Sequence, residues 1–162
     1  MAGSRTREVA DATRRPARLV AAVLGAVFLL VGILGFVPGI TTDYGAMELA
    51  GHQSRAKLFG VFQVSVLHNL VHLLFGVAGL AAAWLGAKTA RLYLLVGGLV
   101  YLVLWLYGLL IDLTTVQELF GPVPPEANFV PVNNADDWLH FFLGAGMITL
   151  WLVVRPGRGV RE

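Results

Sequence analysis

Ser65-Val-Leu-His-Asn-Leu-Val-His-Leu-Leu-Phe-Gly76 places His68, Asn69 and His72 inside a run too hydrophobic to be anything but a membrane helix. At about 100° per residue His68 and His72 leave one face, Asn69 flanks them, and Ser65, Gly76, Gly79 and Ala83 continue the stripe. Leu67, Leu70, Leu74 and Leu85 fall on the opposite side. A helix with a small and polar stripe backed by leucines packs on other helices with one side and faces lipid with the other.

The rest of the chain fits that setting. With 57% hydrophobic and 14% charged residues among 162, it lies far from a soluble domain and reads as an integral membrane protein, its main partner the lipid bilayer. A formal net charge of +2 argues against a nucleic-acid partner. There is no cysteine, which removes disulfides, thiolate metal sites and iron-sulfur clusters, so any metal here has nitrogen and oxygen ligands.

In chain order, residues 1–18 form a polar, arginine-rich tail without an apolar period, expected to be disordered, and residues 19–37 an uncharged span long enough for a hydrocarbon core of about 30 Å. That span is too long for the apolar core of a cleaved signal peptide. Ala21, Gly25, Phe28, Gly32 and Gly35 share one of its faces. Pro38 and Gly39 end it, and residues 40–57 read as an outer loop.

Residues 58–85 are apolar for longer than one crossing requires, so 58–65 is expected as an interfacial or tilted extension. On a rise of about 1.5 Å per residue, His68 then lies about 3 Å and His72 about 9 Å below the outer boundary. A third helix covers 92–111, with Tyr93, Gly97, Tyr101, Leu104, Gly108 and Asp112 inward, the tyrosines serving packing and interfacial anchoring. Residues 113–137 form a second outer loop with four prolines, and 138–154 a fourth helix with His140, Gly144, Met147 and Trp151 on one face. Residues 155–162 are a short basic tail.

Ten of the Lys and Arg residues lie in the two tails and the 86–91 turn, against Arg55 and Lys57 in the loops. The positive-inside rule therefore puts both termini in the cytoplasm of a multi-pass protein of the cell's inner (plasma) membrane. The fold expected is all-α: a four-helix transmembrane bundle of up-down topology over residues 19–154. A homo-oligomer or a complex with another membrane protein is compatible with it.

That topology gathers His68, Asn69, His72, Asp112, Asn133, Asp136, Asp137 and His140 in the outer half of one bundle. His68 and His72 are spaced i, i+4, as are Asp136 and His140, so two neighbouring helices offer three imidazoles and a carboxylate. The preferred reading is a structural hydrogen-bond network between helices. The alternative is a divalent metal site of zinc-like type made by His68, His72, His140 and Asp136, in an enzyme or a transporter.

A haem is disfavoured because His68 and His72 leave the same side of one helix. Nucleophilic catalysis lacks a cysteine and a G-x-S-x-G turn, and no P-loop is present, so an enzyme is not the favoured class.

Four blocks resemble a known family: Gly32 to Gly39 (Gly-Ile-Leu-Gly-Phe-Val-Pro-Gly), Leu58 to Phe62 (Leu-Phe-Gly-Val-Phe), His68 to His72, and Asn128 to His140 (Asn-Phe-Val-Pro-Val-Asn-Asn-Ala-Asp-Asp-Trp-Leu-His). Together they resemble the bacterial membrane proteins of domain-of-unknown-function family 4383, over roughly Leu19 to Val154. The resemblance implies a bacterial inner-membrane protein with four helices, and it implies no particular chemistry. It also implies that His68, Asn69, His72, Asn133, Asp136, Trp138 and His140 belong to a family pattern.

Overall fold

The computed structural model describes residues 2–112, 121 and 129–154, with side chains for residues 16–111, 121 and 129–154. The basic tail from Arg155 and most of the second outer loop (113–120, 122–128) lie outside the described residues, as does the side chain of Asp112.

Four helices make up most of what is described: α1 (Ala2–Leu34), α2 (Val66–Leu85), α3 (Ala87–Asp112) and α4 (Asn134–Val153). Three are long and apolar enough to cross a membrane, over Pro16–Leu34, Val66–Leu85 and Ala87–Ile111. In α4, Asp136 and Asp137 occupy the first turn and shorten the apolar stretch.

Glycine decides how the helices pair. A Cβ on Gly25 would lie 2.7 Å from the Leu80 nitrogen and 2.8 Å from the Gly76 oxygen, and one on Gly76 would lie 2.6 Å from the Leu29 nitrogen. The backbones of α1 and α2 therefore touch, which only glycine permits. Gly98 and Gly144 do the same for α3 and α4, each Cβ position within 3.0 to 3.1 Å of the other's carbonyl oxygen. The closest packing is thus within the pairs α1–α2 and α3–α4, and contact across the pairs is looser.

Rings fill the seam between pairs. Phe28 of α1 meets Phe75 of α2 at 5.3 Å and Tyr101 of α3 at 5.4 Å between ring centroids. Ala21, Gly25, Phe28, Gly32 and Gly35 are all buried, while Leu70 and Leu74 face outward. At the end of the helices remote from the histidines, Arg18 donates to the Ala83 carbonyl at 2.8 Å, and Arg91 donates to the Val154 carbonyl while lying over the Trp151 ring. Each guanidinium satisfies a carbonyl that a helix end leaves without an internal partner.

The opposite end carries what the apolar pattern hides. Strands β1 (Thr41–Thr42), β2 (Lys57–Leu58) and β3 (Phe62–Gln63) form a small antiparallel sheet in the order β1-β2-β3, pairing Thr41 with Leu58 and Leu58 with Phe62. Residues 58–65 are therefore a hairpin and not an extension of α2. Phe59 (φ 54°) and Gly60 (φ 71°) turn the chain through the left-handed region, and Ala56, Leu58 and Val64 pack beneath on Val31, Leu34, Ile40 and Met47.

The helix limits differ from expectation for identifiable reasons. α1 is already helical from Ala2, in a segment rich in Ala and Arg, and stops at Leu34, where the Thr41 hydroxyl donates to the Leu34 and Gly35 carbonyls at 3.2 and 3.1 Å. α2 begins at Val66 because Ser65 caps it, its Oγ accepting from the His68 N–H at 3.1 Å. Gly86 (φ 123°) alone separates α2 from α3, so Lys88 and Arg91 lie in the helix and not in a longer turn.

Candidate functional site

His68 and His72 stand on successive turns of α2 with ring centroids 4.6 Å apart, and His140 of α4 approaches His68 at 6.3 Å. Two rings from other helices close the group. Phe28 stacks on His72 at 5.9 Å with 16° between planes, and Tyr101 meets His140 at 5.3 Å. His68 and His140 are 7% and 3% exposed.

His68, His72, His140 and Asp136 line one cavity of about 80 Å³, closed by Val31, Phe62, Val64 and Leu143 among others. The remaining members of the expected cluster are dispersed. The Asn69 carboxamide faces α1, in the space a Gly35 side chain would need, and donates to the Met47 sulfur at 3.8 Å. Asp137 fits against Gly108 of α3. Asn133 sits at the end of α4 as its cap.

Asn133 and Asp136 form a reciprocal cap. The Asn133 Oδ1 accepts from the Ala135 and Asp136 N–H groups at 2.9 and 3.1 Å, and Asp136 Oδ2 accepts from the Asn133 N–H at 3.0 Å. The same Oδ2 accepts from the Gln63 N–H at 3.0 Å, and the Asn133 Nδ2 donates to the Val61 carbonyl at 2.8 Å. Two side chains of α4 thereby clamp the β2–β3 hairpin across the helix ends. Asp136 lies just above the apolar run that opens at Trp138; burial pushes its carboxyl up to about 7, opposed by those two N–H donors, which favour the charged form.

The imidazoles are closed only in part: the Pro131 and Gln63 backbone carbonyls reach His68. Nδ1 of His68, of His72 and of His140 is buried without a hydrogen-bond partner. Among the described residues, no three His, Asp or Glu side chains are already arranged to hold an ion.

Ser54 and Lys57 spell an S-x-x-K pattern leading into the hairpin, but they are not a catalytic pair. The Ser54 hydroxyl is fully buried, donates to the Val64 carbonyl at 2.6 Å and accepts from the Glu48 N–H at 3.2 Å, whereas Lys57 is exposed. Gln63 enters the site through its backbone, without a sequence signal, whereas Phe28 and Tyr101 reach it from the inward faces that helical period assigns them.

Residues 18–153 match the family described as Domain of unknown function (DUF4383), and the chain belongs to that family. No curated protein and no solved structure matches it.

Proposed function

We propose that this chain is a four-helix membrane protein with both termini in the cytoplasm, whose outer half carries a ligand-binding site formed by His68, His72 and His140. One observation carries the reading: three buried imidazole nitrogens lack partners. Each costs about 1–3 kcal/mol if it stays unsatisfied, so a group from outside the chain is the natural complement. The structural-network reading fits Asn133 and Asp136, whose bonds close within the protein. It does not account for the bare Nδ1 nitrogens of the three histidines.

A divalent ion is the second reading, favoured by the shared cavity of about 80 Å³, which three nitrogen donors and the Asp136 carboxylate line without a thiolate. In that case His68, His72, His140 and Asp136 would hold the ion, supplying the borderline donor set that suits zinc.

Native mass spectrometry with elemental analysis, on detergent-purified protein, separates these cases. The expected result is a bound mass on the wild type that His72→Leu loses. Zinc or another divalent metal at one equivalent, lost in His68→Ala, would assign the mass to an ion. A wild-type protein without any bound mass or metal returns the histidines to a structural role.

Orientation has its own test. With ten of the basic residues in the two terminal segments and the first turns of α3, a cysteine placed at Asp43 is expected to react with an impermeant maleimide in intact cells. Labelling only after permeabilisation would invert the topology.

A further inference from the structure

The three imidazoles also line a second cavity, of about 190 Å³, bounded by Val71 of α2 and by Val100, Tyr101 and Leu104 of α3. Val71 and Val100 are 46% and 41% exposed, so this cavity opens on the outer surface of the helices, in the seam where α2 and α3 meet. Both stand about 20 Å above the turn at Gly86 on a rise of about 1.5 Å per residue. The mouth is therefore lateral, at one height on two antiparallel neighbours, and faces lipid if α2 and α3 span the bilayer.

We propose that this cavity takes a lipid-soluble molecule of the quinone class, a single oxygen-bearing ring on an apolar tail, which reaches the histidines sideways from the bilayer. This rests on the reading of the histidines as ligand-binding groups. Size fits one ring: a cavity of about 150 Å³ holds benzene, and the tail stays between α2 and α3 in lipid. Chemistry selects the head. Beyond the imidazoles the walls are mostly apolar, which suits a ring on a hydrocarbon tail, and a ring carbonyl accepts from an imidazole N–H. The hydroxyl of the reduced form donates to the bare nitrogen of the same neutral imidazole, so either form finds a partner. Tyr101 adds an aromatic wall on which a flat ring can stack.

The test uses the full chain in detergent, melted with decylplastoquinone, a dimethylbenzoquinone on a ten-carbon tail, and with decylbenzene as the oxygen-free control. The quinone is expected to raise the melting temperature and decylbenzene is not. His72→Leu should weaken quinone binding about tenfold, the worth of one hydrogen bond. Val71→Trp fills the exposed mouth and should abolish the shift. Stabilisation of the wild type by zinc chloride but not by the quinone overturns the ligand class and keeps the histidine site. Equal shifts from quinone and decylbenzene overturn recognition by the imidazoles, and no shift with quinone or zinc overturns both readings.

Discussion

Gly76→Leu is expected to destabilise the protein by more than about 3 kcal/mol, beyond the usual range for overpacking, because the obstacle is backbone and not a side chain that can rotate. The Cβ position on Gly76 lies 2.6 Å from the Leu29 nitrogen and 2.8 Å from the Gly25 oxygen. α1 and α2 would have to separate, and with them the wall that holds Phe28 against His72. Gly146→Ala is the control: nothing lies within 4 Å of its Cβ position, so the change should be neutral or gain up to about 1 kcal/mol in helix propensity. Thermal unfolding of both variants in detergent reads the difference. Equal losses would mean that the α1–α2 contact is not a backbone contact.

Asp136→Ala should cost about 3 kcal/mol, since it strips the acceptor from two backbone N–H groups, Gln63 and Asn133, at the junction of hairpin and helix. Asp136→Asn should lose less than half as much, because an amide oxygen still accepts. Chemical unfolding monitored by circular dichroism measures both. If Asn and Ala cost the same, the carboxylate's charge matters more than its role as acceptor, and the divalent-ion reading gains.

Much of this architecture was legible because lipid enforces period. Ala21, Gly25, Phe28, Gly32 and Gly35 recur on one face of α1, and all are buried; Leu70 and Leu74 lie opposite the polar stripe of α2 and are exposed. The hairpin was not legible. Two-residue strands carry no alternation to detect, and Leu58-Phe-Gly-Val-Phe62 continues the hydrophobic run of α2, so only the left-handed turn at Phe59 and Gly60 gives it away. The start of α4 is readable in principle, since Asn133 followed three residues later by Asp136 is a capping signature, but the apolar run that marks a span begins only at Trp138.

For the site, spacing carried further than for the loops. The i, i+4 pairs put His68 and His72 on one face and Asp136 and His140 on another, and helix order brings those faces to one cavity. Spacing does not tell which polar groups find partners. Asn133 and Asp136 satisfy each other and the hairpin, Asn69 turns to α1, and the imidazoles are left with bare nitrogens, an outcome set by where the Val61 carbonyl and the Gln63 N–H fall in space.

An experimental density map of the protein in lipid nanodiscs, detailed enough to place side-chain nitrogens, tests the histidine site most directly. Density belonging to no protein atom, within about 2.7–3.2 Å of a nitrogen of His68, His72 or His140, is the expected result for an organic ligand, and about 2.0–2.1 Å for a zinc ion. An empty cavity, or imidazoles turned so that each nitrogen bonds a protein group, would contradict a ligand-binding role for the three histidines.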